Sequence, residues 1–174
     1  MPHQKARLMT RPTLEAGAAL CLALALPLAQ AQAPTPPTPA VAPAPKWNGY
    51  DEAADARADV TRALAKARAE GKKVIVVFGA NWCPDCRVLD QQMKEGRLKA
   101  LVEREFVTVK VDVGRFKKNL DLAEQFGVPL KKGIPTLAVL DAKGQAIYAT
   151  LEGEVGDARD MGEAGLYKFF DRQW

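Results

Sequence analysis

Cys83 and Cys86 are the residues of this 174-residue chain whose type and spacing could do chemistry. They stand in "NWCPDCR" (81–87), behind Trp82, with Pro84 and Asp85 between them and Arg87 after them. Two thiols three positions apart can close a disulfide, hold a soft metal ion, or exchange electrons with another disulfide. Structural zinc usually needs four ligands, so the pair alone suits Cu(I) at most. A c-type haem would need histidine after the second cysteine, where Arg87 stands. A bridge over so short a loop constrains the unfolded chain little. Thiol–disulfide exchange is therefore the expected chemistry, with no metal and no cofactor beyond the redox-active disulfide itself.

Position assigns a role to each sulfur. The pair follows "KVIVVFG" (73–79), a continuous β-branched run expected to be a strand buried on both faces. It also opens a helix. Cys83 at the helix N-terminus meets unpaired N–H groups and the positive end of the dipole, which stabilise a thiolate. Pro84 suits the first helical position, where its missing N–H has no partner to lose. Cys83 is thus the expected nucleophile and Cys86 the expected resolving thiol of the mixed disulfide. Trp82 would offer a flat apolar surface beside an exposed sulfur.

The rest of the chain narrows the setting. Residues 1–31 carry Lys5, Arg7 and Arg11, then the apolar run "AGAALCLALALPLA" and a small-x-small site at Ala29 and Ala31. That is the layout of a cleaved secretory signal, and the apolar run falls short of the ~20 residues that span a bilayer. An uncleaved membrane anchor is the alternative. Residues 32–45 hold six of the 12 prolines among Ala and Thr and read as a spacer. Residues 46–174 are then the folded domain. Cleavage would remove Cys21 and His3, leaving 22 basic and 20 acidic residues, a net charge of +2. A domain without histidine cannot run Ser-His or Cys-His catalysis, and so small a charge gives no reason to invoke nucleic acid.

The elements that must position the pair are legible as periodicity. A helix is expected over 51–70, stopped by Gly71, and strands over 73–79 and 106–113. A helix from the cysteines to about Lys94, continuing through Leu98 and Val102, lies between the strands. A short helix at 119–127, a hairpin from "TLAVLD" and "QAIYATL", and a closing helix over 163–174 complete the set. Alternating helices and strands plus a hairpin predict an α/β fold: a central mixed β-sheet with helices on both faces.

"VIVVFGANWCPDCR" followed by "GIPT" (133–136) resembles the thioredoxin superfamily, over the whole of 46–174. The resemblance implies a thioredoxin fold with an extra N-terminal helix. It implies that Pro135 is a cis-proline lying against the disulfide and that Ile134 presents backbone to an extended substrate. The leading helix and export signal look more like periplasmic thiol:disulfide interchange proteins than cytosolic thioredoxin. There are departures. Val77 occupies the place, six before the nucleophile, where such reductases bury an acid that handles the resolving cysteine's proton. Lys110 matches a family position near that site but is free to point to solvent with Val77 opposite. The loop "VPLKKGIPT" is longer than usual and adds Lys131 and Lys132 to Arg115, Lys117 and Lys118 as a possible basic rim.

Asp85 suggests a direction for the electrons. A carboxylate disfavours a neighbouring thiolate and so favours the disulfide state, making the dithiol a better reductant. Arg87 is expected to offset part of this. The expectation is a monomeric periplasmic reductase of protein disulfides, acting on protein thiols and disulfides and fed by a membrane thiol reductase. The alternatives are an oxidase or isomerase, and a non-redox assembly factor that uses the groove only for docking.

Overall fold

The computed structural model describes residue 47 and residues 49–174. The expected signal, the spacer and the start of the domain at Lys46 lie outside these residues. Along the chain come α1 (Ala56–Glu70), β1 (Lys73–Gly79), α2 (Pro84–Gln92), α3 (Gly96–Glu105), β2 (Phe106–Asp112), α4 (Leu120–Gln125), a 3-10 turn (Leu130–Lys132), β3 (Thr136–Leu140), β4 (Ala146–Ala149) and α5 (Ala158–Phe170). The sheet order is β2-β1-β3-β4, with β1 parallel to β2 and antiparallel to β3, and β3 antiparallel to β4.

β1 is central, which explains its unbroken apolar run. Val74, Val76 and Phe78 pack on one face with Val60, Ala63 and Ala67 of α1 and Leu122 of α4. Ile75 and Val77 pack on the other with Leu89 of α2, Leu98 and Val102 of α3, and Leu166, Phe169 and Phe170 of α5. Both faces of a central strand must be covered, so polar alternation disappears from its sequence.

Local chemistry sets several ends differently from the periodicity. α1 starts at Ala56, not Asp51, because the Asp55 carboxylate accepts from the N–H groups of Arg57 and Ala58 at 3.1 and 3.0 Å. Asp51 instead accepts from Ala53 N–H within its own turn. The helix expected to run on from the cysteines is two helices, with α3 restarting after Gln92 at Gly96. Asn119 does not cap α4 by its side chain; it adopts φ 53° and donates Nδ2 to Asp112 O at 2.8 Å. The last helix begins at Ala158 and breaks at Gly162, whose φ of 60° and ψ of −179° no helix contains.

Candidate functional site

The C-terminal end of β1 delivers the chain to the cysteines. Cys83 adopts extended φ/ψ and caps α2, its sulfur accepting from Cys86 N–H at 3.1 Å, with Pro84 at the first helical position. Cys83 and Cys86 form a disulfide with Cα atoms 5.3 Å apart. Neither sulfur is openly exposed, contrary to expectation: Cys83 is 3% exposed and Cys86 is fully buried. The small difference still separates them: Cys83 keeps a trace of exposure and Cys86 none.

The Cys83 sulfur faces the loop before β3. The Ile134–Pro135 peptide is cis, and Cys83 Sγ lies 3.4 Å from the carbonyl oxygen of Ile134. Trp82, 43% exposed, donates its indole N–H to Gly114 O at 2.8 Å and meets Phe116 edge-on at 6.0 Å. Phe116, Leu120, Pro129 and Leu130 continue this surface into an open apolar groove of about 750 Å³. Of the lysines expected as a rim, Lys132 is bound to Glu152 at 2.7 Å and Lys118 to Asp112 at 3.4 Å. Arg115 lies over the Trp82 ring at 5.7 Å.

The charges around the pair are arranged differently from what their spacing suggested. Asp85 Oδ1 accepts from Nε of Arg159 at 3.0 Å and from its backbone N–H at 3.2 Å. Burial pushes the Asp85 carboxyl up, but the bonds from Arg159 outweigh it and hold the carboxyl below its usual range. Arg87 is not the counter-ion; it donates Nε and Nη2 to Asn81 O at 3.2 and 2.9 Å. Arg159 is 74 residues away in sequence, so no local motif could have exposed it. With its charge already compensated by Arg159, Asp85 disfavours the Cys83 thiolate less than its place between the cysteines suggests.

α2 carries a buried acid four residues after Cys86, at Asp90. Val77 pairs in register with Lys110 on β2, and both border a cavity of about 200 Å³ with Leu89, Asp90, Met93 and Val102. Lys110 does not point to solvent: its Nζ meets Asp90 Oδ1 at 2.8 Å, while Lys94 Nζ reaches Oδ2 at 2.6 Å. Asp90, 7% exposed, also accepts from Trp47 Nε1 at 3.1 Å. Burial raises the Asp90 carboxyl, yet Lys110 and Lys94 together hold it below its ordinary value. Asp90 was missed because an acid on a helix reads as solvated. The signal was its place four residues after Cys86, which puts both on one face of α2.

A segment ahead of α1 closes the site from the side. Asn81 Oδ1 accepts from Tyr50 N–H at 3.0 Å, and Asn81 Nδ2 donates to Tyr50 O at 2.8 Å. Tyr50, 3% exposed, packs edge-on against Trp47 at 5.9 Å. Among the described residues, no three histidine, cysteine or carboxylate side chains gather as a metal site would require.

Comparison with known proteins agrees with this geometry. A thioredoxin-like family model matches residues 55–142. The solved disulphide isomerase of Xylella fastidiosa Temecula1 is 44% identical and superposes with a TM-score of 0.67, covering 70% of this chain and 92% of that one. Probable nucleoredoxin 3 of Oryza sativa subsp. japonica is 32% identical over 94 residues, 43% of this chain and 20% of that protein. Nucleoredoxin of Mus musculus is 33% identical over 113 residues, 54% of this chain and 26% of that protein. The chain therefore spans well under half the length of either curated relative. A mixed sheet with a Cys-x-x-Cys pair at the end of its central strand and a cis-proline against it is the thioredoxin fold, and the chain belongs to the thioredoxin-like family.

Proposed function

We propose that this protein is a periplasmic reductase of protein disulfides, with Cys83 as nucleophile and Cys86 as resolving thiol. The observation that carries the reading is the asymmetry of the pair. Cys83 receives a backbone N–H on its sulfur, lies 3.4 Å from Ile134 O and is 3% exposed, while Cys86 is fully buried. In the dithiol, the Cys83 thiolate attacks a substrate disulfide and one substrate sulfur leaves as thiolate. Cys86 then attacks Cys83, the disulfide re-forms, and the second substrate sulfur is released. Trp82, Ile134 and Pro135 would hold an extended substrate segment, and the groove beyond Phe116 would take its apolar side chains.

The reductive direction is supported by the make-up of the loop between the cysteines. It contains no cation, and Asp85 there is compensated by Arg159 rather than reversed in sign. Nothing in the loop stores the extra thiolate stability of a strong oxidant. The periplasmic setting follows from the leader read in residues 1–31, and an oxidising compartment requires a membrane thiol reductase as electron source. Isomerisation is the second reading, favoured by the Xylella relative's description as a disulphide isomerase. It begins with the same attack by Cys83 and differs in what resolves the adduct.

Trapping tests the assignment. Cys86→Ser should accumulate partner proteins on Cys83 as mixed disulfides, and mass spectrometry would identify them. If no adduct depends on Cys83, the nucleophile is wrongly assigned. A reduction potential near that of the strongest disulfide oxidants, about −120 mV, would overturn the reductase reading.

A further inference from the structure

Gly79, the last residue of β1, is bare because two side chains crowd it. A Cβ built there would lie 2.3 Å from Tyr50 Oη and 3.0 Å from Cys86 Sγ. The phenol oxygen and the resolving sulfur thus border the same point in the interior. Tyr50 is held there by its backbone and by its ring. Its backbone is gripped at both N–H and C=O by the Asn81 carboxamide, two residues before Cys83. Its ring packs on Trp47, and Trp47 is itself bonded to Asp90.

Resting on the reading of Cys86 as resolving thiol, we propose that the Tyr50 hydroxyl is the hydrogen-bond donor that stabilises the Cys86 thiolate when the disulfide opens. It would do so where the acid expected at position 77 is replaced by valine. A hydroxyl can serve there only as donor. Burial, and then the nearby charges of Asp90 and Asp112, hold the phenol well above its ordinary range, so it keeps its proton. Of the charged groups around it, Asp90 on α2 is bonded to two lysines, Lys94 of the same helix and Lys110 of β2. Asp112 on β2 has an ion-pair contact with Lys118 but a buried Oδ2 without a hydrogen-bond partner among the described residues.

The step balances without a further reagent. Attack by the Cys83 thiolate breaks the substrate S–S bond and expels one substrate sulfur as thiolate. That thiolate takes the proton of Cys86, leaving the Cys86 thiolate with Tyr50 Oη–H as donor. Cys86 then attacks the Cys83 sulfur, forming the intramolecular disulfide and expelling the second substrate sulfur with its electron pair. Tyr50 begins and ends protonated, so it is a positioning donor and not a base.

The test reads the thiol directly. In a Cys83→Ser background, Cys86 is titrated by thiolate absorbance near 240 nm, which needs no substrate and is independent of the direction of catalysis. Adding Tyr50→Phe, which keeps the ring, should raise the Cys86 pKa by about one unit, the worth of a hydrogen bond to a charge. In the chain with both cysteines, Tyr50→Phe should slow release of a mixed disulfide about tenfold at neutral pH. The initial attack, measured in Cys86→Ser, should be unchanged by Tyr50→Phe. If Tyr50→Phe does not fold, Asn81→Ala, which loosens the grip on Tyr50 without altering the phenol, should shift the Cys86 pKa in the same direction. An unshifted Cys86 pKa in the folded variant would overturn the proposal, whereas failure of the trapping experiment would instead remove the roles of the two cysteines.

Discussion

Asp85 shows how a residue's effect depends on what it touches. Between two cysteines its charge should press the Cys83 thiol upward, but Arg159 at 3.0 Å compensates it. Arg159→Ala should therefore expose the carboxylate and raise the Cys83 pKa, and Asp85→Asn should lower it. Arg159 is largely exposed, so each shift should stay below about one unit. Thiolate absorbance of the Cys86→Ser protein measures both. Equal pKa values in the two variants would mean that Asp85 does not act on Cys83 at all.

Asp90 is the more consequential acid because it is buried. Its carboxyl is held below its ordinary value in the folded chain, so folding favours the ionised form. The stabilisation is then fully present above the ordinary carboxylate pKa of about 4 and is lost as pH falls through the lower folded value. Asp90→Asn should cost about 1–3 kcal/mol at pH 7, since it strips the partner of Lys110 and Lys94 but leaves those cations access to water. Urea unfolding at pH 7 and again near pH 3 checks this. The gap between wild type and variant should shrink on acidification.

At the scale of elements, the site is the meeting point of β1, α2 and the segment before α1. Gly79→Ala should drive a methyl into Tyr50 and Cys86, destabilising the fold by about 1–3 kcal/mol, with thermal unfolding as the measurement. α5 acts from the other side. It packs on α2 and α3, and its Phe170 is almost wholly buried in the core beneath the cysteine helix. Phe170→Ala should cost about 3–5 kcal/mol, read from the denaturant midpoint. Element types were readable because burial imposes them: a double-faced strand is apolar throughout, and α1 repeats its small residues on one face. Their ends were less so. Asp51 and Asp55 are both capping residues, and only the hydrogen bonds made by Asp55 decide that α1 starts after it.

At the scale of the molecule, the described residues contain no helix long and apolar enough to cross a membrane. The two sides of the sheet divide the work. One side, with α1 and α4, is apolar packing; the other, with α2, α3 and α5, holds the sulfur pair and the buried ions. Lys110 shows why this division matters. Its strand neighbours Val109 and Val111 join the core on the α1 side, so strand alternation sends Lys110 to the side of Cys86. What the spacing left undecided between solvent and interior, the register with Val77 and the Asp90 carboxylate decided.

The sequence by itself determined the redox pair, the order of the two sulfurs along a helix, the strand that delivers them and the proline that faces them. The first three rest on contacts within a few residues or on a periodicity that burial enforces, and the proline on the resemblance carried by "GIPT". Only the tertiary structure decided which charges act on the pair. Arg159 meets Asp85 across 74 residues, Lys110 meets Asp90 across 20, and Asn81 holds Tyr50 across 31. An ion pair or a buried hydrogen bond needs only two atoms within about 3 Å. That condition leaves no periodic trace in the chain and is met only when the sheet and its helices have packed.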